Sequence, residues 1–174
     1  LNKEFLANAR AVFSQTLFHQ EIMYKNLQID NIVNLGGNLW STTNLTKLKL
    51  LSETKKQSGL HAILYSDIPH KNTVEALDYC LSHQLNYKLI GNIPYSQFIS
   101  ELSQCEKFVF FPKTPETLSR VVVEARMLNL NIIVNNLVGA TSEPWFKYRG
   151  QELIDIMLNK REEIVNKIEY CFEN

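Results

Sequence analysis

The stretch that decides the fold is Phe108–Val134, FVFFPKTPETLSRVVVEARMLNLNIIV. An apolar, strand-like run opens it, Pro112 and Pro115 interrupt the chain, an amphipathic segment follows, and a second apolar run closes it. This order of strand, turn, helix and strand is the repeating unit of a parallel α/β sheet. Glu116 and Glu124 fall after the first strand and inside the helical segment. Open α/β sheets bind ligands at that edge, so both carboxylates are candidate site residues.

The spacing of the two glutamates limits what they can do together. We expect the helix to begin at Glu116, which puts its backbone about 12 Å from that of Glu124 at a rise of about 1.5 Å per residue. That separation suits a long ligand and is too long for two acids that share one proton or one metal ion. A purely structural role also fits these residues. Thr114 would cap the helix, Pro115 would take its first position, and Arg120 would pair with Glu124 one turn later.

The rest of the chain continues the alternation of short apolar runs with amphipathic segments. We predict six strands, near residues 11–13, 32–35, 62–65, 87–90, 108–111 and 132–134. We predict helices near residues 17–27, 45–57, 72–83, 95–105, 118–128 and 151–172. The expected fold class is therefore α/β, a doubly wound, Rossmann-like parallel sheet of about six strands with helices on both faces.

Composition excludes several classes of function. A length of 174 residues suits one domain, here residues 1–174. Eighteen basic and 18 acidic side chains leave no net charge to attract nucleic acid, and no apolar stretch approaches the roughly 20 residues of a membrane span. The chain has no P-loop, dinucleotide-binding or Gly-x-Ser-x-Gly motif. The three cysteines lie far apart in segments that we predict to be helical, without metal-ligand spacing: Cys80, Cys105 and Cys171. We expect a cytoplasmic protein that uses neither metal nor cofactor.

Five segments carry a further pattern: ANARAVFSQTLFHQEIMY (7–24), HAILYSDIPHKNTVEAL (61–77), YKLIGNIPYSQFISELSQCEKFVFFP (87–112), the glutamate pair, and VNNLVGATSEPW (134–145). In this order and spacing they resemble the C-terminal, donor-binding domain of retaining glycosyltransferases of the GT-B fold, the large group-1 (family 4) class. The resemblance covers nearly the whole chain.

The resemblance implies a role for each matching residue. Glu116 would lie near the hydroxyls of the donor sugar as the catalytic residue, and Glu124 would accept hydrogen bonds from ribose. Lys71 would neutralise the leaving diphosphate. The N-terminal amides of the helix that begins near Thr117 would face the same diphosphate. Tyr95 and Phe98, which follow the Gly91 loop, are further candidates to border the base, although Phe98 is better explained as a core residue. The implied donor-binding positions are Lys71, Gly91, Ile93, Thr117, Leu118, Ser119 and Glu124.

The sequence departs from the family at two points. Ser66 stands where the family has an arginine, which removes one of two cations expected at the diphosphate. The family's Glu-Gly-Phe-Gly becomes Glu-Thr-Leu-Ser at residues 116–119, without the glycines that let phosphates approach the backbone. Lys113 and His70 are candidates to replace the missing charge.

The resemblance implies a retaining, metal-independent hexosyltransferase that uses a UDP-, GDP- or ADP-sugar in polysaccharide or glycolipid assembly. Because the chain starts without Met, we expect it to be excised from a longer two-domain protein and inactive alone. A missing N-terminal domain would bind the acceptor glycan or glycolipid and make any membrane association. The alternatives are a catalytically degenerate half that serves as a nucleotide-sugar-binding or regulatory module, a sugar-nucleotide epimerase of similar fold, and an unrelated flavodoxin-like module.

Overall fold

The computed structural model describes residues 2–173. Its strands are β1 Val12–Ser14, β2 Ile32–Asn34, β3 Gln57–Leu64, β4 Tyr87–Ile90, β5 Cys105–Phe110 and β6 Asn131–Val134. Its α-helices are α1 Lys3–Asn8, α2 Leu17–Leu27, α3 Thr42–Ser52, α4 Thr73–Ser82, α5 Tyr95–Ser103, α6 Arg120–Met127 and α7 Gly150–Glu173. Short 3-10 turns lie at Pro69–Lys71, Gly139–Ser142 and Pro144–Lys147.

All strand pairs are parallel, as the α/β prediction requires. The order in the larger sheet is β4-β3-β5-β6, while, within residues 2–173, β1 and β2 pair only with each other. The prediction of one sheet of about six strands is therefore corrected to a four-stranded sheet beside a two-stranded one. Strands β1 and β2 are three residues long, and side-chain hydrogen bonds connect this part to the rest, such as that from Trp145 Nε1 to Gly36 O at 2.7 Å.

Helices cover both faces of the four-stranded sheet, because successive strand side chains point to opposite sides. On one face, Phe108 and Phe110 of β5 belong to the large core formed with α3, α5, α6 and α7. On the other, Val109 and Ile63 form a smaller core with Cys80 of α4. The predicted doubly wound arrangement is confirmed. Among residues 2–173, none of the helices combines the length and the apolar character that crossing a membrane requires.

The helix after β5 begins later than the sequence predicts. It starts at Arg120, so Thr114 and Pro115 are not its cap and first residue, and the 12 Å helical separation of the two glutamates does not apply. The preceding segment pairs instead with the loop after β6: Glu116 N–H donates to Leu137 O at 2.8 Å, and Gly139 N–H donates to Glu116 O at 2.9 Å. These bonds satisfy the backbone groups that an earlier helix would have used. The prediction of a helical Cys105 is also wrong, since that residue begins β5.

Two glycines let the loops at the carboxyl edge of the sheet approach each other closely. A Cβ atom on Gly91 would lie 1.9 Å from the carbonyl oxygen of Tyr65. A Cβ atom on Gly139 would lie 2.3 Å from the carbonyl oxygen of Thr117. Backbone atoms cannot yield at these distances, so both positions require glycine for packing.

Candidate functional site

A continuous cleft lies at the carboxyl edge of the sheet and has two parts. The polar half, about 420 Å³, is lined by Gln15, Asn38, Lys71 and residues 116–119. The aromatic half, about 430 Å³, is lined by Asn44, Tyr95, Phe98 and Glu124. Leu64, Arg120 and Val121 line both halves, so the two are adjacent. The structure thus brings most of the sequence-predicted site residues to one cleft.

Lys71 and Glu116 form an ion pair in the polar half. Lys71 Nζ lies 2.7 Å from Glu116 Oε1, and the two side chains keep 24% and 14% of their surface exposed. The ammonium also lies 5.9 Å from the ring centre of Phe110. Two residues 45 positions apart in sequence therefore neutralise each other, and an anionic ligand would compete with Glu116 for Lys71.

The N-terminus of α6 offers unused hydrogen-bond donors to the polar half. Within the described part of the chain, residues 117–121 donate no backbone N–H to an acceptor. Ser119 has φ 68° and ψ 84° and does not cap the helix with its side chain. Its hydroxyl is buried and has no partner among residues 2–173. Free N–H groups at a helix start attract anions, so this edge can bind a phosphate or carboxylate.

The backbone conformation at Ser119 is one that the glycines of the family would adopt easily. A left-handed φ is the conformation that glycine adopts most readily, yet serine adopts it here. The adjacent residue is also fixed, since Thr117 Oγ1 donates to Gln15 Oε1 at 2.6 Å and Thr16 Oγ1 donates to Thr117 O at 2.7 Å. The turn therefore keeps its donors accessible without glycine.

Glu124 is buried between the two halves, with 5% of its surface exposed. Its Oε1 accepts hydrogen bonds from Trp40 Nε1 at 3.0 Å and from Tyr95 Oη at 3.1 Å. Burial raises the pKa of Glu124, although those two hydrogen bonds and the charge of Arg120 oppose the rise. Burial likewise raises the pKa of Tyr95, so its hydroxyl stays a donor.

The second oxygen of Glu124 differs from the first. Oε2 receives no hydrogen bond from residues 2–173 and is not sealed from solvent. A carboxylate with one oxygen fixed and the other free can accept a hydrogen bond from a ligand hydroxyl.

Trp40 and Arg120 are residues at the cleft to which sequence reasoning assigned only structural roles, packing for Trp40 and an ion pair with Glu124 for Arg120. Trp40 is 1% exposed, and its indole N–H donates a hydrogen bond to Glu124. The guanidinium of Arg120 lies over the indole ring, with its carbon 5.0 Å from the ring centre. The available signals were the Gly36-Gly37 turn after β2, which leads to Trp40, and the position of Arg120 one turn before Glu124.

Other predicted positions lie outside the cleft lining. Gly91 and Ile93 line neither half; Gly91 packs against Tyr65, and Ile93 packs against the large core. Lys113 and His70 are exposed and also line neither half. No group of three or more His, Cys, Asp or Glu side chains is placed to hold a metal ion in residues 2–173.

Comparisons with known proteins identify the fold. No protein-family model matches the sequence, and no curated protein sequence matches it. The chain is similar to a glycosyltransferase from Rickettsia africae ESF-5, with 13% identity and a TM-score of 0.52 over 98% of this chain and 56% of that one. It is similar to Anabaena HepE, solved with UDP and glucose, with 16% identity and a TM-score of 0.51 over 94% of this chain and 59% of that one. The chain therefore shares its fold with part of each of these two proteins and spans less than two thirds of either.

Proposed function

We propose that this chain is the donor-binding domain of a nucleotide-sugar-dependent glycosyltransferase. The observation that carries the proposal is the arrangement of one continuous cleft. Lys71 and the free amides of residues 117–121 lie in its polar half, and Glu124, with one oxygen free, lies in the aromatic half. A nucleoside diphosphate sugar presents groups of matching chemistry in the same order: sugar, phosphates, ribose and base.

The polar half suits the diphosphate. Amide N–H groups at the start of α6 and the unpaired hydroxyl of Ser119 are donors for phosphate oxygens. Lys71 adds a positive charge within the same half. Such groups favour departure of the nucleoside diphosphate, because negative charge grows on it as the bond to the sugar breaks.

The aromatic half suits the nucleoside. Glu124 Oε2 is available to the vicinal hydroxyls of ribose, for which a carboxylate is a good acceptor. Tyr95 and Phe98 line the same half and offer apolar surface to a base. We take uridine as the first base to test, because the similar Anabaena HepE was solved with UDP and glucose; GDP- and ADP-sugars are the other candidates.

We assign Glu116 to the donor sugar and to catalysis. It lies beside Lys71, where the sugar would follow the phosphates. The resemblance to retaining enzymes leads us to propose that the configuration at the anomeric carbon is retained and that the whole protein acts in polysaccharide or glycolipid assembly. A second domain would supply the acceptor and the opposite wall of the cleft.

The second candidate function is a nucleotide-sugar-binding or regulatory module without transferase activity. The ion pair between Lys71 and Glu116 favours it, because both candidate active groups already satisfy each other. Under this proposal the chain binds nucleotide, and the full protein transfers no sugar.

Glu124→Gln tests the donor site directly. The variant should bind both UDP and uridine about ten- to a hundred-fold more weakly, since a hydrogen bond to a charged acceptor contributes about 1.5–3 kcal/mol. Calorimetry measures UDP, and NMR titration measures the weaker uridine. Glu162→Gln, an exposed change on α7, is the matched control and should bind as wild type does. Unchanged affinity in Glu124→Gln, or a wild-type chain that binds none of UDP, GDP and ADP, would refute the proposal.

A further inference from the structure

The cleft has little positive charge for the ligand proposed above. Among the described residues that line it, Lys71 and Arg120 are the two lysine or arginine side chains. The charge of Lys71 is already offset by Glu116 at 2.7 Å. Each of the two phosphates of a nucleoside diphosphate sugar carries a negative charge, so a second cation would be valuable.

Arg120 lies where that cation is needed. It lines both the polar and the aromatic half, at the junction between them, and 48% of its side chain is exposed. Its nearest carboxylate contact is Glu124 Oε1 at 3.8 Å, which is too long for a hydrogen bond. Within residues 2–173 its guanidinium therefore donates no hydrogen bond, and the planar group is suited to phosphate oxygens.

Trp40 fixes the position of this guanidinium. The Arg120 guanidinium carbon lies 5.0 Å from the centre of the Trp40 ring, within the range of a cation–π interaction. Trp40 is itself held at two points: its Nε1 donates to Glu124 Oε1 at 3.0 Å, and its carbonyl accepts from Arg161 Nη1 at 2.7 Å. The donors of Arg120 are thus held near the cleft before any ligand arrives, which lowers the entropy cost of binding.

We propose that Arg120 binds the phosphates of the donor, with Trp40 as the residue that positions it. This inference rests on the proposed function, because it takes the ligand to be a nucleoside diphosphate. The guanidinium donates to phosphate oxygens between the start of α6 and the ribose at Glu124. It is a different residue from Lys113 and His70, which lie outside the cleft lining.

A structural role for Arg120 makes a different prediction. If Arg120 served only to stabilise the charge of Glu124, its loss would disturb the ribose contact. Binding of uridine and of UDP would then weaken by the same factor. A phosphate ligand without a nucleoside, inorganic pyrophosphate, would not be affected.

The test compares Arg120→Gln, Arg120→Lys and wild type against UDP, uridine and pyrophosphate, with calorimetry and NMR titration. Arg120→Gln should bind UDP about tenfold or more weakly, lose pyrophosphate binding in parallel, and bind uridine within about twofold of wild type. Arg120→Lys should recover part of the loss, because it keeps the charge without the planar fork. Arg149→Gln is the matched control, since this arginine lies outside the cleft and contacts Asn131.

Each outcome separates the two proposals. If wild type binds UDP and Arg120→Gln binds it equally well, the proposed role of Arg120 is refuted, but the proposed donor site is not. Equal loss for uridine and UDP also overturns it, in favour of support for Glu124. Absence of binding of UDP, GDP, ADP and pyrophosphate to wild type overturns both proposals. If Arg120→Gln does not fold, as judged by its melting curve, Arg120→Lys carries the same comparison of UDP with uridine.

Discussion

At the residue scale, Glu124 shows how a group that we propose to bind ligand can oppose stability. Its carboxyl group is buried beside the Trp40 ring, and burial raises its pKa despite two hydrogen bonds. A group whose charged form is disfavoured in the folded state destabilises the protein at neutral pH. We interpret this destabilisation as a consequence of keeping one oxygen free for a ligand.

The pKa of Glu124 predicts how stability depends on pH. The unfolded chain releases this proton near the ordinary value of 4.5, whereas the folded protein releases it at higher pH. The contribution of Glu124 to stability therefore falls as the pH rises through that interval and is constant above it. Glutamine does not titrate and retains an acceptor for Trp40 and Tyr95, so the melting temperature of Glu124→Gln relative to wild type should rise between about pH 4 and about pH 7. A relative fall over this range would contradict the prediction.

The ion pair between Lys71 and Glu116 predicts opposite effects for its two members. Glu116→Gln should bind UDP at least as tightly as wild type, because it frees Lys71 from a contact of 2.7 Å. Lys71→Ala should bind UDP about tenfold more weakly and uridine equally well, because its charge acts on the phosphates. Calorimetry and NMR titration measure both, with Lys113→Ala as the control on an exposed lysine outside the cleft. Similar losses of UDP affinity in Glu116→Gln and Lys71→Ala would argue against competition for Lys71.

At the element scale, the late start of α6 creates the polar half of the cleft. The chain before it pairs with the loop after β6 through Glu116 and Gly139. This pairing holds residues 117–119 in a turn instead of a helix, and their N–H groups stay free. The late start of α6 and the free N–H donors in the polar half therefore have one cause.

Gly139 should be essential to that turn. A Cβ atom at this position would lie 2.3 Å from Thr117 O, so Gly139→Ala should cost about 1–3 kcal/mol of stability and weaken UDP binding. Gly59→Ala is the control: its Cβ would meet nothing within 4 Å, but its φ of +73° should cost about 1–2 kcal/mol without affecting UDP. Denaturant unfolding and calorimetry test both variants. If Gly139→Ala folds and binds UDP with wild-type affinity, the turn does not contribute to UDP binding.

At the scale of the whole molecule, the cleft is open to solvent. The Arg120 side chain at its centre remains 48% exposed, and the chain spans 56% of the Rickettsia glycosyltransferase and 59% of Anabaena HepE. Glycosyl transfer requires exclusion of water and an oriented acceptor. These observations lead us to expect binding without turnover in the chain alone.

The expectation for activity has two parts. The 174-residue chain should bind UDP-sugar but release no UDP from it when offered glycan or glycolipid acceptors. Joined to a second domain, it should transfer the sugar with retained anomeric configuration and undiminished rate in the presence of a chelator, because Lys71, Arg120 and the α6 amides supply the positive charge. NMR of the product's anomeric proton decides the configuration. Acceptor-dependent turnover by the chain alone would refute the expected inactivity of the isolated chain. An inverted product would refute retention, and a lower rate with chelator would refute metal independence.

Local patterns in the sequence were enough for the fold class and for naming several residues that line one cleft. The alternation of apolar runs with amphipathic segments predicted the parallel strands, and the predicted helix at residues 17–27 coincides with α2. Lys71, Glu116 and Glu124 could be named because their types and spacing resemble a known pattern, and the structure brings all three to one cleft. These features depend on residues close together along the chain.

Only the tertiary structure decided where α6 begins and which groups meet. The turn before α6 depends on hydrogen bonds from residues 116 and 139, and tertiary bonds of this kind override the weak helix propensity of the intervening segment. The contact of Trp40 with Glu124 joins residues 84 positions apart, and that of Lys71 with Glu116 joins residues 45 positions apart. Local sequence carries periodicity and spacing, whereas such contacts arise when loops after different strands pack at one edge of the sheet.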